Sequence, residues 1–399
     1  MKEIHEYIRE KRMKLGLTQK EFADALGLGK YGDRTLRRWE NGESKPSKLE
    51  VQSIRSFPDE PPFPNRDLSE SKFTTIDLFA GIGGIRLAFH RLGGHTVFSS
   101  EWDKFSQKTY RVNFGEIPHG DITQIHERDV PDHDILLAGF PCQPFSQAGL
   151  KKGFEDTRGT LFFDIARIIS EKRPKAFLLE NVKQLRGHDK GNTLRVIKES
   201  LKDLQYTVHV EVLRAADFGV PQNRERIFIV GFNNDFGGVL TPFKFPKPNH
   251  KPTRVGDILE DFVDEKYTIS DALYQGHLRR KEEHKQKGNG FGFSLFNRES
   301  PYTNTLSARY YKDGSEILIE QEGGQNPRKL TPRECARLQG FPDDFIIPVS
   351  DTQAYRQFGN SVSIPVIEAI AQEMISAMKV SKMIDDSKDR KQNEIPVYA

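Results

Sequence analysis

The amino-acid sequence predicts an α/β protein: helices wind around a mostly parallel sheet, which is preceded by a small all-α domain and followed by a smaller, irregular one. Three observations support this. Short β-rich apolar runs alternate with helical patterns from residue 73 onward. A glycine-rich turn follows the first of these runs. Residues 1–57 show helical periodicity and no strand-like run.

The first 57 residues carry the pattern of a helix-turn-helix. Thr18 and Glu21 have the spacing of a capping box, which predicts the start of a second helix. A third helix is predicted from Asp33 to a stop at Gly42. Its candidates for contact with DNA are Arg34, Thr35, Arg37 and Arg38. The alternative is a helical cap with a solvated charged face.

The remaining chain divides by pattern. Prolines between 58 and 64 predict a semi-rigid linker. Strands are predicted at 73–79, 96–99, 135–138, 176–179 and 226–230, with helices at 85–92 and 160–171. After residue 233 the alternation fails, which predicts a separate, irregular, partly β module, followed by a helix capped by Thr331 and a last helix at 365–378. The predicted domains are 1–57, 58–72, 73–232, 233–345, 346–379 and a polar tail, 380–399.

Composition excludes several classes of protein. Hydrophobic residues make up 36% and charged residues 29%, and no apolar run is long enough to span a bilayer. Only two cysteines occur, which excludes a disulfide framework and indicates a reducing compartment such as the cytoplasm. We expect no metal site, because neither paired CxxC nor HExxH spacing is present. The net charge of +3 does not decide for or against a nucleic acid.

A nucleotide-like ligand is predicted where the first strand meets its helix. Glycine residues there allow close backbone approach, and the helix N-terminus offers N–H donors. Glu101 follows the next strand, where a carboxylate can accept from ribose hydroxyls, and Asp121 is placed to accept from an adenine amino group. Trp102 and Phe79 supply apolar faces or belong to the core. No phosphate-binding lysine motif accompanies the turn, so S-adenosylmethionine fits better than NAD or ATP; a tight turn without a ligand is the alternative.

A second constellation carries candidate catalytic groups. Cys142 stands between two prolines after a buried strand, as a nucleophile or as a small buried hydrophobe. Glu180 is predicted to end another strand, either as a carboxyl with a raised pKa or in a structural salt bridge. Arg224 and Arg226 alternate with Glu225, which predicts that both lie on one face of an extended segment.

These motifs, in this order, resemble the cytosine-C5 DNA methyltransferase family over about residues 73–378. The shared segments are Phe79–Gly84, Glu101, Asp121, Pro141-Cys142-Gln143, Glu180-Asn181-Val182, Gln222–Arg226, Arg333–Pro342 and Gln357–Val362. The resemblance implies a Rossmann-like methyltransferase sheet and a target-recognition domain at 233–345. It also implies transfer of a methyl group from S-adenosylmethionine to C5 of a flipped cytosine.

The resemblance assigns roles to individual residues. The catalytic set is Cys142, Glu180, Arg224 and Arg226. The cofactor set is Phe79, Gly81, Ile82, Gly83, Gly84, Glu101, Trp102, Asp121, Ile122, Pro141, Asn360 and Ser361. The contacts with target DNA are Gln143, Ser146, Lys151, Arg158 and Arg309.

The stretch 305–318 is similar to the bacterial subgroup that methylates the inner cytosine of CCNGG or CC(A/T)GG. Members of that subgroup use their N-terminal segment on the promoter of their own restriction–modification system. We therefore expect double-stranded DNA as the partner, operator DNA at residues 1–57, and a functionally linked restriction endonuclease. The rival interpretations are a repressor with an inert methyltransferase body, a tRNA cytosine methyltransferase and, more distantly, a nicotinamide oxidoreductase.

Overall fold

The computed structural model describes residues 3–141, 161–249, 251–288 and 292–384. These residues form two compact units. The first gathers stretches within 1–64, 103–117 and 254–361, and the second gathers stretches within 65–102, 118–253 and the residues from 362 onward. Each unit therefore brings together three separate parts of the chain, whereas the domains predicted from the sequence follow chain order.

The helices are α1 (Ile4–Lys14), α2 (Gln19–Ala25), α3 (Gly32–Glu40), α4 (Lys48–Ser56), α5 (Gly84–Arg91), α6 (Lys104–Phe114), α7 (Leu161–Lys172), α8 (Asn192–Asp203), α9 (Asp271–Gln286), α10 (Pro332–Leu338), α11 (Asp351–Asn360) and α12 (Ile364–Val380). The strands are β1 (Phe73–Leu78), β2 (Gly94–Ser100), β3 (Ile135–Gly139), β4 (Ala176–Val182), β5 (Tyr206–Arg214), β6 (Glu225–Asn233), β7 (Leu295–Phe296) and β8 (Leu318–Ile319). None of the helices in the described ranges is long and apolar enough to cross a membrane.

The second unit is built on a sheet with the strand order β2-β1-β3-β4-β6-β5. The first four strands are parallel, and β6 runs antiparallel to both β4 and β5. The predicted mostly parallel α/β sheet is thus confirmed, with one difference. Strand β5 was not predicted; it lies at the end of the sheet beside β6, which is the strand that runs in the opposite direction.

One face of this sheet is buried by α7 and α8. Alternate strand residues supply the strand side of this core, as the period of two in a β-strand requires. They are Ile76, Leu78, Leu136, Ala138, Phe177, Leu179, Ile227 and Ile229. Because each parallel strand ends at the same edge, the residues that follow β1, β2 and β3 are brought to one side of the unit.

The first unit holds the N-terminal helices and the irregular module. The predicted capping box of α2 is confirmed, since the Thr18 side chain accepts from Glu21 N and the Glu21 side chain accepts from Thr18 N. The predicted cap of α10 is confirmed in the same way at Thr331. The predicted irregular, partly β module contains the two short strands β7 and β8, and also the 16-residue helix α9, which was not predicted.

Candidate active site

The glycine turn after β1 has an unusual backbone. Phe79 and Gly81 both have φ of +55°, and Gly83 has φ of +82°. This left-handed region favours glycine, so the surrounding structure must hold Phe79 there. One support is visible, since Ala80 N donates to Ser100 O at 2.9 Å and ties the turn to the end of β2. The turn then passes directly into α5 at Gly84.

Glu101, which directly follows β2, is hydrogen-bonded to this turn. Its Oε2 accepts a hydrogen bond from Gly81 N at 2.8 Å, and the residue is 7% exposed. If Gly81 carried a Cβ, that atom would have no neighbouring heavy atom of the protein within 4 Å, so the outer side of the turn is open. An open turn beside a buried carboxylate has the space and the acceptor that a nucleoside needs. The described residues therefore fit the adenosine part of S-adenosylmethionine.

Two buried charged residues under the turn were not found by sequence reasoning. Asp77 is 1% exposed, and among the described residues its Oδ2 has no hydrogen-bond partner. Burial raises the pKa of Asp77, Arg86 counteracts this rise, and Glu101 adds to it. Arg86 is fully buried in α5. The available signal was an aspartate between two apolar residues, Ile76 and Leu78, near the end of a predicted strand, where a carboxylate is costly to bury.

The remaining cofactor candidates of this unit differ in exposure. Trp102 is 75% exposed, which excludes a core role. Asp121 is exposed, and its Oδ1 accepts from Thr123 N at 3.0 Å, so one of its oxygens caps a short 3₁₀ turn. Ile122 is buried, whereas Pro141 is exposed just beyond β3. The roles of Trp102, Asp121, Ile122 and Pro141 towards a cofactor stay predictions.

Glu180 lies inside β4, two residues before its end, so its predicted place at the strand end was wrong by that margin. It pairs in register with Gly139, the last residue of β3. A Cβ on Gly139 would stand 3.6 Å from Oε2 of Glu180. This is an ordinary contact distance, so the carboxylate lies directly beside the end of β3.

Two arginines converge on this carboxylate. Nε of Arg226 lies 3.2 Å from Oε1 of Glu180, and Arg224 is 3% exposed. Glu225 points elsewhere and pairs with Lys183. Glu225 and Arg226 thus point in different directions, as the predicted alternation requires, and β6 places Arg226 opposite Val182 at the end of β4.

Burial sets the electrostatics of this cluster. It raises the pKa of Glu180 above 4.5, although Arg226 and then Arg224 oppose the rise. It lowers the pKa of Arg224 to about 9, with a further contribution from Arg226 and an opposing one from Glu180. A carboxyl whose pKa is raised in this way is suited to holding a proton that it can share with a bound base.

The segment that enters Cys142 is tethered to β4. Phe140 N donates to Glu180 O at 3.3 Å, and Asn181 Nδ2 donates to Phe140 O at 2.8 Å. Cys142 itself lies outside the described residues. So do the predicted DNA contacts Gln143, Ser146, Lys151 and Arg158.

The other predicted contacts belong to the first unit. Arg309 is exposed, Asn360 is the exposed last residue of α11, and Ser361 follows it. The third predicted helix begins one residue earlier than expected, at Gly32. It buries Leu36 and Trp39. Its predicted DNA contacts lie at the surface, with Arg34, Arg37 and Arg38 exposed and Thr35 half-buried.

The hydrophobic core of the N-terminal helices extends beyond residue 57. It includes Val112 of α6 and Ile346. Arg111 Nη2 donates to Gly16 O at 2.7 Å, and Lys108 pairs with Glu21 at 3.0 Å. These contacts join residues that are distant in sequence, so no local sequence pattern predicts them.

Comparison with known proteins identifies two families in the chain. Residues 73–376 match the C-5 cytosine-specific DNA methylase family, and residues 8–62 match a helix-turn-helix family. The chain therefore belongs to the C-5 cytosine-specific DNA methylase family, and it is a DNA cytosine-5-methyltransferase of the restriction–modification type with an N-terminal helix-turn-helix. Membership in this family implies the use of S-adenosylmethionine and binding to DNA.

Particular relatives cover nearly the whole chain. It is 66% identical to type II methyltransferase M.SsoII of Shigella sonnei over 372 residues, which is 93% of this chain and 97% of that protein. It is 63% identical to type II methyltransferase M1.ScrFI of Lactococcus lactis subsp. cremoris, over 95% of this chain and 97% of that one. The Entamoeba histolytica methyltransferase EhMeth is similar in structure, with a TM-score of 0.62 at 21% identity over 78% of this chain and 99% of that chain. That likeness concerns the fold.

Proposed function

We propose that the chain methylates C5 of the inner cytosine of CCNGG or CC(A/T)GG, by way of a covalent bond to Cys142. The observation that carries the proposal is the cluster of Glu180, Arg224 and Arg226 beside the end of β3, from which the chain runs directly to Cys142. One acid and two guanidiniums at the exit of a buried strand are suited to binding the polar edge of a flipped base.

In this mechanism the Cys142 thiolate bonds to C6 of the cytosine, and the ring electrons move towards C5. Glu180 holds N3 and the amino group, so that charge building up on the ring is neutralised by its proton. Arg226 holds O2, and Arg224 supports Glu180 and Arg226. After C5 has gained the methyl group, loss of the C5 proton restores the double bond and breaks the bond from Cys142 to C6.

S-adenosylmethionine, when bound, supplies the methyl group. Its binding residues are proposed to be Phe79, the glycine turn with Ile82, Glu101, Trp102, Asp121, Ile122, Pro141, Asn360 and Ser361. Glu101 has one oxygen on Gly81 N, and we expect its carboxylate to receive the ribose hydroxyls at the open side of the turn.

Arg309 is proposed to read a guanine of the site, because arginine pairs bidentately with the major-groove edge of that base. Gln143, Ser146, Lys151 and Arg158 are proposed to contact the target strand around the flipped cytosine. A restriction endonuclease that cleaves the same unmethylated site is the expected functional partner.

The test is transfer of a radiolabelled methyl group to duplexes that contain CC(A/T)GG, CC(C/G)GG or a variant with one of the four outer bases replaced, and to tRNA. We expect label in the CC(A/T)GG duplex, none in the outer-base variant or in tRNA, and none with Cys142→Ala; label in the CC(C/G)GG duplex as well assigns CCNGG, and its absence assigns CC(A/T)GG. Cys335→Ala is the matched control, because Cys335 is fully buried in α10 and burial raises its thiol pKa. Label in tRNA alone, or undiminished label with Cys142→Ala, would overturn the proposal.

The N-terminal helices are proposed to bind operator DNA of the chain's own promoter. Arg34, Arg37 and Arg38 are exposed on α3, while the opposite side of the helix is buried. Full-length Arg37→Ala is expected to lose promoter binding in a gel-shift assay and to keep its methylation rate. Lys14→Ala, an exposed cation on α1, is the matched control. Equal promoter binding by both variants would refute this assignment.

A further inference from the structure

Helix α11 makes an unusually close approach to the backbone that leads to Arg309. A Cβ on Gly359 would stand 2.4 Å from Ala308 N and 2.4 Å from the carbonyl carbon and oxygen of Ser307. Real Cβ atoms do not come this close to backbone atoms, so a side chain at position 359 requires the helix or the segment to move. Gly359 therefore lets the helix backbone support residues 307 and 308 directly.

The same helix also holds the chain on the other side of Arg309. The guanidinium of Arg356 lies 4.6 Å from the centre of the Tyr311 ring, and its Nη2 donates to the Tyr311 hydroxyl at 3.3 Å. This hydrogen bond lowers the pKa of Tyr311. Helix α11 thus contacts the residues on both sides of the candidate DNA-reading arginine.

A buried tyrosine next to Arg309 anchors the backbone of this stretch through two hydrogen bonds. Tyr310 is fully buried. Its hydroxyl donates to Ile317 O at 2.7 Å and accepts from Leu330 N at 2.7 Å. From α9, Arg280 Nη1 lies 3.3 Å from Asp313 Oδ2. The backbone around Arg309 is therefore held at several points.

We propose that Gly359 and Arg356 are positioning residues for sequence recognition. They hold residues 307–311, which we call the reading segment, so that Arg309 meets its base in a fixed orientation. This inference rests on the proposed function, in which Arg309 reads a guanine. Bidentate pairing tolerates only a small displacement of the guanidinium. A shifted backbone should therefore reduce the selectivity for guanine at this position more than it reduces the rate of methyl transfer.

The test compares Gly359→Ala with Gly276→Ala. Both glycines lie within helices, but a Cβ on Gly276 meets nothing within 4 Å. The readout is the ratio of kcat/KM on the duplex that wild type methylates fastest to that on the same duplex with one guanine replaced. This ratio does not depend on the fraction of folded enzyme, so a merely destabilised variant leaves it unchanged.

We expect Gly359→Ala to lower the ratio about tenfold, within the range for loss of one bidentate contact, and to raise KM for DNA more than KM for S-adenosylmethionine. Gly276→Ala should leave the ratio unchanged. Arg356→Ala is the second variant, because it alters an exposed side chain, and it should also lower the ratio. Arg195→Ala on α8 is its matched control.

Arg309→Ala separates the positioning role of Gly359 and Arg356 from the proposal that Arg309 reads a guanine. Loss of discrimination by Arg309→Ala while Gly359→Ala and Arg356→Ala keep the wild-type ratio would overturn the positioning role and leave the guanine assignment standing. Loss of discrimination by Gly359→Ala while Arg309→Ala keeps the ratio would support positioning of the reading segment and remove Arg309 as its reader.

Discussion

Replacing Arg226 with alanine tests whether Glu180 depends on a counter-charge. The two side chains lie 3.2 Å apart and keep 17% and 11% exposure, respectively. At an effective dielectric constant of about 20, unit charges at this distance attract by about 5 kcal/mol. Arg224 stays near Glu180 and replaces part of this attraction. We therefore expect Arg226→Ala to lose about 2–4 kcal/mol of unfolding free energy.

A double-mutant cycle measures the coupling in this pair. Urea unfolding of Arg226→Ala, Glu180→Gln and the double variant is compared with that of wild type. In the double variant no carboxylate is left without its partner, so the loss should be smaller than the sum of the single losses by at least about 1 kcal/mol. Additivity within about 0.5 kcal/mol would refute the coupling.

The pH dependence of the unfolding free energy of Arg226→Ala tests whether loss of Arg226 raises the pKa of Glu180. Burial already raises the pKa of Glu180 above 4.5, and loss of Arg226 should raise it further. A carboxyl with a raised folded-state pKa favours folding below its unfolded pKa, and that contribution is lost as pH rises through the folded value. The variant should therefore be penalised more at pH 8 than at pH 5. An equal penalty at both pH values would contradict this explanation.

Two further predictions concern the sheet unit. Burial lowers the pKa of His133 to about 4, so unfolding free energy should fall as pH drops from 6.5 to about 4, by up to about 3 kcal/mol. His133→Gln should lose less over that range in urea unfolding, and an identical loss would exclude this histidine as a source. A Cβ on Gly231 would stand 2.1 Å from the Phe177 ring, so Gly231→Ala should cost about 1–3 kcal/mol in thermal unfolding. Gly187→Ala, which meets nothing within 4 Å, is the control, and equal Tm values for the two variants would contradict the packing argument.

The sequence was sufficient to predict those features that depend only on neighbouring residues. The capping residues Thr18 and Thr331 and the glycine turn after β1 were predictable because each depends on a few neighbouring residues. Strand β5 was missed although Tyr206, Val208, Val210 and Val212 alternate with polar residues, so its signal was present. Helix α9 was missed because it is charged along its length, with His277 as its buried residue.

The candidate site was only partly predictable. Family motifs pointed to Glu180 and Arg226, but their 3.2 Å contact depends on the antiparallel register of β4 and β6. That register joins residues more than 40 positions apart, and no local pattern encodes it. The burial of Asp77 and Arg86 under the glycine turn likewise depends on packing between elements.

Covalent trapping on a duplex that contains 5-fluorocytosine tests the central claim most directly. Fluorine at C5 blocks the proton loss that releases Cys142, so protein and DNA should migrate together as an SDS-stable band when S-adenosylmethionine is present. We expect this band with wild type and with Cys335→Ala on CCNGG or CC(A/T)GG duplexes, and its absence with Cys142→Ala. Failure of wild type to trap on either duplex, or trapping by Cys142→Ala, would contradict the account.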